Sequence, residues 1–396
     1  MKYLLLPAIL LLASCTTATH FPIDQTPFDK ALWSILIEEE NGQTLYALNA
    51  DKLMIPASNR KLFAAATIAT CLGATTQLST DVYRDGEDLI VKGDGDPSLG
   101  SWRYSREDDF DRLAETLRAK GVTNVRDLVI DVSTFDRVLL PGGWKLGNVG
   151  SDYSAPVDAI TWGENEIPTD RAVESPALHA GNVLRESLYL RGISVANVRV
   201  NTEPRALPEK IAIEKIASIP SPFVAQLLQT VLKNSHNLYA EMLLKRSSNG
   251  TYDASFALER ALLAGEVHVP RDSFRFVDGS GLAPDNLVSA RASIALLRWM
   301  NHPSRRAFWW PILAQPNNDG TLRRRLVTLE ERLRGKTGTI NGVAALSGII
   351  AMPDGRYRYF SVMVNHHIGD GDEAVKIIDL IVEWAARTSP RTRSSS

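Results

Sequence analysis

Strand-like segments lie at both ends of this 396-residue chain, and helical segments fill the region between them. Near the start, ALWSILIEEE and QTLYALNA flank Asn41-Gly42, a pair typical of a tight β-hairpin. Near the end, RLRGKTGT, VAALSGIIAM and YRYFSVMVNH precede the amphipathic stretch DEAVKIIDLIVEWAAR, with Pro353-Asp354-Gly355 as the last turn. All five strands can be buried if they share one antiparallel sheet with helices on its faces. The sequence therefore predicts an α+β fold whose sheet is built from both ends of the chain.

The segment from residue 80 to residue 205 has a different character. Short strand-like runs such as DLIVKG and RDLVIDV alternate with Gly-rich turns, and helices are predicted in SREDDFDRLAETLRAKG and near residues 178–191. We interpret 80–205 as a smaller inserted α/β domain, and 30–79 together with 206–388 as the main domain. Helices dominate after residue 205, beginning with PSPFVAQLLQTVLK, and the polar tail 389–396 is predicted to be disordered.

The chain begins with MKYLLLPAILLLASC, which has the charged start and short apolar core of a bacterial export signal and is too short to span a bilayer. Leu12-Ala13-Ser14-Cys15 resembles the lipobox of bacterial lipoproteins. It predicts a signal peptide over 1–14, a lipid on Cys15 and a polar tether over 15–29. The alternative is an ordinary secretory signal whose cysteine is incidental. Lipidation implies a periplasmic protein held to the membrane by lipid alone, and Thr16 favours the outer membrane of a Gram-negative bacterium by analogy.

Charge and cysteine usage narrow the possible partners and bonds. The formal net charge is −2 and no basic stripe with interleaved aromatic residues occurs, which argues against nucleic acid as a partner. Apart from Cys15, the one other cysteine is Cys71, so a lipidated Cys15 leaves no intrachain disulfide. Cys71 lies in the apolar run after Lys61, where we expect a buried, small hydrophobic side chain.

Three short motifs carry the candidate chemistry. Ser58-Asn59-Arg60-Lys61 begins an apolar helix, and its serine and lysine, three residues apart, share one helix face. Ser235-His236-Asn237 lies in a turn between two helices, and Lys336-Thr337-Gly338 ends a strand. Each motif alone is weak, and Ser58 by itself could simply cap its helix. Together, in this order, they match the motif set of penicillin-interacting serine enzymes.

Longer stretches extend this similarity. GDGDPSLGS at 93–101, SDYSAPVDAI at 151–160, NSHNLYAEMLL at 234–244, DGSGLAPDNLVS at 278–289, DGTLRRRL at 319–326 and GKTGT at 335–339 resemble the class C low-molecular-mass penicillin-binding proteins. These are D-alanyl-D-alanine carboxypeptidases and endopeptidases, and the similarity covers about residues 30–386. It implies the penicillin-binding-protein/β-lactamase-like transpeptidase fold. Family members carry an insertion between the first two motifs; here 177 residues separate those serines, which is short, so one inserted domain is clear and a second stays open.

The resemblance assigns roles that the residue types support. Ser58 attacks the substrate carbonyl, and a buried Lys61 can act as its base because burial disfavours the ammonium. Ser235 passes a proton to the leaving amine and Asn237 grips the substrate backbone. Lys336 attracts the terminal carboxylate. The substrate-binding residues are Thr337, Gly338 and Thr339, and the N–H groups of Ser58 and Thr339 match the family's oxyanion hole. No cofactor and no metal is expected, because the chemistry uses only these groups and no ligand cluster is evident.

The lead hypothesis is a serine peptidase that acts on peptidoglycan stem peptides and cross-links through an acyl-enzyme on Ser58, and that β-lactam antibiotics acylate. One alternative is a β-lactamase or esterase of the same fold, but no E-x-x-L-N-like segment lies between Asn237 and Lys336. Another is a non-catalytic wall-binding lipoprotein, against which the intact Ser58, Lys61, Ser235 and Lys336 argue. His236 departs from the Asp or Asn that is common at its position. Either it points outward and packs, or its charge adds to the cleft at low pH.

Overall fold

The computed structural model describes residues 28–167, 170–203 and 213–388. The predicted signal peptide, Cys15, most of the tether and the tail 389–396 lie outside the described residues. The strands are β1 Leu32–Glu39, β2 Thr44–Leu48, β3 Gln77–Asp85, β4 Asp88–Lys92, β5 Asn124–Asp131, β6 Glu166–Ile167, β7 Arg171–Ala172, β8 Ser194–Asn201, β9 Glu214–Phe223, β10 Phe274–Arg275, β11 Leu287–Val288, β12 Leu333–Ile340, β13 Val343–Ala351 and β14 Tyr357–Asn365. The helices are α1 Arg60–Leu72, α2 Asp109–Ala119, α3 Pro176–Leu190, α4 Val224–Lys233, α5 Asn237–Arg246, α6 Tyr252–Gly265, α7 Ala290–Met300, α8 Pro303–Ile312 and α9 Gly371–Arg387.

The main sheet joins the two ends of the chain, as the sequence predicts. Its strand order is β12-β13-β14-β1-β2, and every neighbouring pair is antiparallel. The predicted hairpin links β1 and β2, and Gly42 takes a φ of +86° that other residues rarely adopt. Helices cover both faces: Leu36 packs in a core with α1, α4 and α7, whereas its neighbour Ile37 packs in a core with α9. Successive strand residues point to opposite faces, so one sheet serves both cores.

The inserted segment forms a second sheet with the order β8-β5-β4-β3-β9. β5 pairs in parallel with β4 and β8, and β3 pairs antiparallel with β4 and β9, while α2 and α3 pack against this sheet. The segment that forms this sheet extends beyond the predicted bounds of 80–205 at both ends, because β3 begins at Gln77 and β9 ends at Phe223. The stretch predicted to start a helix at Pro220 is still strand until Phe223, because it pairs with β3.

Helix α5, which begins at the last residue of the second motif, belongs to both parts of the molecule. Tyr239 and Leu243 pack in the core of the main sheet, while Leu238 and Met242 pack in the core of the second sheet. At its end, Lys245 Nζ donates to Asp136 Oδ1 at 2.5 Å, which ties the helix to the inserted segment again. The inserted segment therefore packs directly on the helix that starts at the second motif.

One sequence expectation is wrong at the end of α1. Cys71 is exposed rather than buried, because it lies in the last turn of α1, beyond the buried stretch that ends at Ile68. Along the described ranges, none of the helices combines the length and the apolar character that a membrane crossing requires.

Candidate active site

Ser58 lies in a tight turn at the start of α1. The 3₁₀ turn Ala57–Asn59 runs directly into α1, and Ala57 has a φ of +46°, which is unusual for a residue with a side chain. Ser58 is half-buried and Lys61, one turn further on, is fully buried. The capping alternative finds no support, because Asn59 holds the N-cap position of α1 and the Ser58 hydroxyl oxygen lies 2.9 Å from Lys61 Nζ.

The contacts of Lys61 match those of a neutral amine acting as a base. Besides Ser58 Oγ at 2.9 Å, its Nζ lies 2.5 Å from Asn237 Oδ1 and 2.7 Å from the Ser280 carbonyl oxygen. Both carbonyl oxygens can only accept hydrogen bonds, so they take the two N–H groups of a neutral amine. In the ammonium form Nζ donates its third N–H to Ser58 Oγ, and in the neutral form its electron pair is free to take the Ser58 proton.

Burial makes the neutral form of Lys61 accessible near physiological pH. It lowers the pKa of Lys61 from its usual 10.5 to about 7, against the opposing effect of the Asp278 and Glu241 carboxylates. The nearby Arg60 guanidinium lowers the same pKa further. At neutral pH a large fraction of Lys61 can therefore accept a proton from Ser58.

Glu241 is a part of the site that the sequence analysis missed. Its carboxylate is fully buried and accepts the backbone N–H of Gly279 at 2.7 Å and of Ser280 at 2.8 Å. These two bonds hold the loop whose Ser280 carbonyl contacts Lys61. Burial, reinforced by the Asp278 carboxylate, raises the pKa of Glu241 to about 7. A lone glutamate inside the apolar run LYAEMLL was the one available signal.

The second and third motifs meet at a single hydrogen bond. Lys336 Nζ donates to Ser235 Oγ at 2.8 Å and to the carbonyl oxygen of the adjacent Thr337 at 2.8 Å. Lys336 is fully buried, and burial followed by the positive charge of Lys61 holds the pKa of Lys336 well below its usual 10.5. Ser235 has a φ of +63°, so its backbone is in the left-handed region.

Strand β12 passes very close to the start of α1. A Cβ added at Gly338 would lie 2.6 Å from the Pro56 carbonyl oxygen and 3.0 Å from the Ser58 nitrogen. Only glycine fits this approach, which brings the third motif beside the N–H of Ser58. The motif lies within β12 and not at its terminus, because two more strand residues, Thr339 and Ile340, follow it. Thr339 is exposed toward the cleft, whereas the Thr337 hydroxyl donates to Thr321 Oγ1 at 2.7 Å.

A cavity of about 420 Å³ opens above these groups. Ser58, Ser235, Asn237 and Thr339 line it. Three further lining residues, Lys145, Asn148 and Tyr153, come from the inserted segment.

The inserted segment also contacts the catalytic groups through its backbone. The Asn237 amide donates from Nδ2 to the Tyr153 carbonyl oxygen at 2.7 Å, which leaves its Oδ1 turned toward Lys61. One N–H of this amide remains for a substrate carbonyl, as the predicted role of Asn237 requires.

His236 is turned toward the inserted segment. Its Nε2 lies 3.0 Å from Glu164 Oε2, and its ring does not line the cavity described above. Among the described residues, Glu164, Glu166 and His236 have potential metal-ligand atoms within 4.8 Å of one another. Arg103 already pairs with Glu164 at 3.0 Å, and its positive charge opposes binding of a further cation. The expectation that no metal is needed stays a prediction.

A lysine-activated serine, with a second serine held by a second lysine across the cleft, defines a penicillin-interacting serine enzyme. The chain matches the model of the D-Ala-D-Ala carboxypeptidase 3 (S13) family over residues 22–170 and 163–388, and it belongs to this family. It is a low-molecular-mass class C penicillin-binding protein and a serine peptidase, as the sequence motifs predict.

Individual relatives and solved structures match most of the chain. A D-alanyl-D-alanine carboxypeptidase from Actinomadura sp. strain R39 is 27% identical, with 90% of this chain and 82% of the relative covered. Penicillin-binding protein 4 from Haemophilus influenzae has a similar structure, with a TM-score of 0.81, 18% identity and coverage of 91% and 97%. A predatory peptidoglycan endopeptidase from Bdellovibrio bacteriovorus gives a TM-score of 0.60, 17% identity and coverage of 90% and 92%. The fold prediction is confirmed.

Proposed function

We propose that this protein hydrolyses D-Ala-D-Ala and D-Ala-diaminopimelate bonds of peptidoglycan through an acyl-enzyme on Ser58. The observation that supports the proposal is the contact set of the buried Lys61, whose Nζ is held by two carbonyl oxygens at 2.9 Å from Ser58 Oγ. Family membership supports the same reaction class.

In the first half-reaction, Ser58 Oγ bonds to the substrate carbonyl carbon while its proton passes to Lys61. In this proposal the backbone N–H groups of Ser58 and Thr339 bind the oxyanion, and each such donor contributes about 2.7–4 kcal/mol in known cases. The carbon–nitrogen bond then breaks, Ser235 delivers a proton to the leaving amine, and the proton that Lys61 took from Ser58 replaces the one that Ser235 gave. Water attacks the resulting ester in the second half-reaction and frees Ser58.

Lys336 has a second role when substrate binds. In the empty site its pKa is strongly lowered by burial and by Lys61. A substrate carboxylate beside it favours the charged ammonium, and that charge in turn keeps Lys61 neutral. Binding of the carboxylate thus prepares the base.

Penicillin labelling followed by peptide mapping tests the nucleophile. We expect a stable adduct on Ser58 and none in Ser58→Ala. An adduct on Ser235 would contradict the assignment, rapid turnover of penicillin would favour a β-lactamase, and no adduct at all would favour a wall-binding protein. Digestion of cross-linked muropeptides, with products identified by mass spectrometry, then separates carboxypeptidase from endopeptidase activity.

We also propose that Cys15 carries the lipid of a bacterial lipoprotein and tethers the enzyme to the outer membrane, facing the periplasm. The LASC sequence after a short apolar core supports this proposal. One acyl chain gives only marginal membrane binding, so stable attachment requires the several chains typical of such lipoproteins. Fractionation of cells that express Cys15→Ala tests it, and unchanged membrane association would count against lipidation.

A further inference from the structure

His236 links the second motif to the inserted segment through a buried hydrogen bond. Its side chain is 10% exposed, and its Nε2 lies 3.0 Å from Glu164 Oε2. Burial alone would raise the pKa of Glu164, but the His236 hydrogen bond and nearby positive charges bring that pKa down to about 2. The carboxylate is therefore an acceptor, and His236 donates to it from a protonated Nε2.

Glu164 is a rigid anchor for this bond. Its side chain is 1% exposed, and it accepts from the Ser101 hydroxyl at 2.6 Å, from Arg103 Nε at 3.0 Å and from the Tyr239 hydroxyl at 3.0 Å. With His236, four donors fix the two carboxylate oxygens. A carboxylate held in this way cannot follow a moving loop, so it sets the position of His236.

Ser235, the residue before His236, has a strained backbone that needs to be held in place. Ser235 has a φ of +63°, and a left-handed backbone costs a residue with a side chain about 1–3 kcal/mol. The next two residues each form a hydrogen bond to the inserted segment. His236 donates to Glu164, and Asn237 donates to the Tyr153 carbonyl oxygen. On the other side, Lys336 Nζ holds the Ser235 hydroxyl at 2.8 Å. The backbone of Ser235 is thus held by the inserted segment and its hydroxyl by β12.

We propose that His236 and Glu164 form a positioning pair that keeps Ser235 in its left-handed conformation, with its hydroxyl on Lys336, so that it can pass a proton to the leaving amine. The inference rests on the proposed function, since it assigns Ser235 the proton delivery. His236 touches no reacting atom. The pair would make the inserted segment a necessary part of the peptidase site, in addition to lining the cleft.

The dependence on the leaving group tests this role. An amide leaving group must be protonated as the carbon–nitrogen bond breaks, whereas a thioester with the same acyl part releases a thiolate that needs no proton. In His236→Leu we expect kcat/KM for the amide to fall about 10- to 100-fold, part of the range that general acid catalysis contributes. The thioester value is expected to stay close to wild type. His236→Gln keeps a donor where Nε2 lies and should restore the amide value.

Two further variants complete the comparison. Ser235→Ala should show the same selective loss on the amide. Asp94→Ala removes the 2.7 Å hydrogen bond from Arg246 Nε to Asp94 Oδ1 at the far end of α5, and should leave the amide-to-thioester ratio unchanged. If His236→Leu does not fold, His236→Asn replaces it, because its shorter amide cannot reach Glu164.

The outcomes separate this inference from the proposed function. Equal losses on amide and thioester, or no loss, in the His236 variant would overturn the positioning role while the peptidase assignment stands. If the wild type cleaves neither substrate and takes no penicillin, the proposed function itself is wrong.

Discussion

The proton on Lys61 decides whether Ser58 can attack, so acylation must depend on pH. Burial lowers the pKa of Lys61 to about 7, and below that pH the amine is charged and cannot take the serine proton. The rate constant for acylation by penicillin should therefore rise with pH through about 7 and then level off. A profile that stays flat from weakly acidic to weakly basic pH would contradict Lys61 as the base.

Glu241→Gln should change this profile in two ways. A glutamine offers one acceptor oxygen, so one of the N–H groups of Gly279 and Ser280 loses its partner and the Ser280 carbonyl is no longer fixed on Lys61. A lost bond to a charged group costs about 1.5–3 kcal/mol, so the plateau should fall by at least about tenfold. The carboxylate also raises the pKa of Lys61, so its removal should move the midpoint to lower pH. An unchanged plateau and midpoint would show that Glu241 has no part in fixing the base.

Side-chain chemistry of the site could be predicted from sequence far better than its backbone chemistry. Ser58, Lys61, Ser235 and Lys336 stand in recognisable motifs, and the structure brings them together at 2.8–2.9 Å in two pairs. The carbonyl groups of Ser280 and Tyr153 contact Lys61 and Asn237, but every residue has a carbonyl, so no pattern marks these two. Only the fold selects them. Likewise, nothing in the residue type of His236 indicates that it turns toward Glu164.

At the scale of elements, the contact between β12 and the start of α1 is the critical one. A Cβ on Gly338 would meet backbone atoms of Pro56 and Ser58 at 2.6 and 3.0 Å, so Gly338→Ala must push the strand away from the nucleophile. Since the oxyanion donors belong to Ser58 and Thr339 in our proposal, we expect acylation to fall about 10²–10³-fold, the effect of losing one such donor.

Gly335→Ala is the matched control for that change. It lies on the same strand, but its added Cβ would meet the Ser347 carbonyl oxygen inside the sheet at 3.0 Å, away from Ser58. Its melting temperature should fall while acylation stays near wild type. If both alanine variants lose acylation in proportion to stability, the close approach at Gly338 has no specific catalytic role.

The elements themselves were predictable where local chemistry and long-range pairing agree. Asn41-Gly42 makes its hairpin, and the three late strands alternate with turns as their pattern indicates. β9 was missed because its end, Ser221 to Phe223, contains a proline and leads straight into the apolar face of α4. Its strand state depends on pairing with β3, at least 130 residues earlier, and that pairing is not visible in local sequence.

At the scale of the whole molecule, α5 makes the two sheets depend on each other. Leu238 and Met242 look like an ordinary apolar helix face in the sequence, yet they pack in a different core from Tyr239 and Leu243. The buried contact of Lys245 with Asp136 adds a second tie. Because one helix completes both cores, unfolding of the second sheet removes packing from the main one, and we expect the two parts to unfold together.

Leu184→Ala tests this coupling from a site remote from the catalytic cleft. Leu184 lies in α3, is fully buried in the core of the second sheet, and its truncation should cost about 2–5 kcal/mol. In hydrogen exchange followed by mass spectrometry, amides of β5 report on the second sheet and amides of β13 on the main one. If the molecule unfolds as one unit, the free energy of opening should fall by the same amount for both strands. Loss of protection in β5 alone, with β13 unchanged, would show that the inserted segment unfolds independently and that α5 does not couple it to the peptidase site.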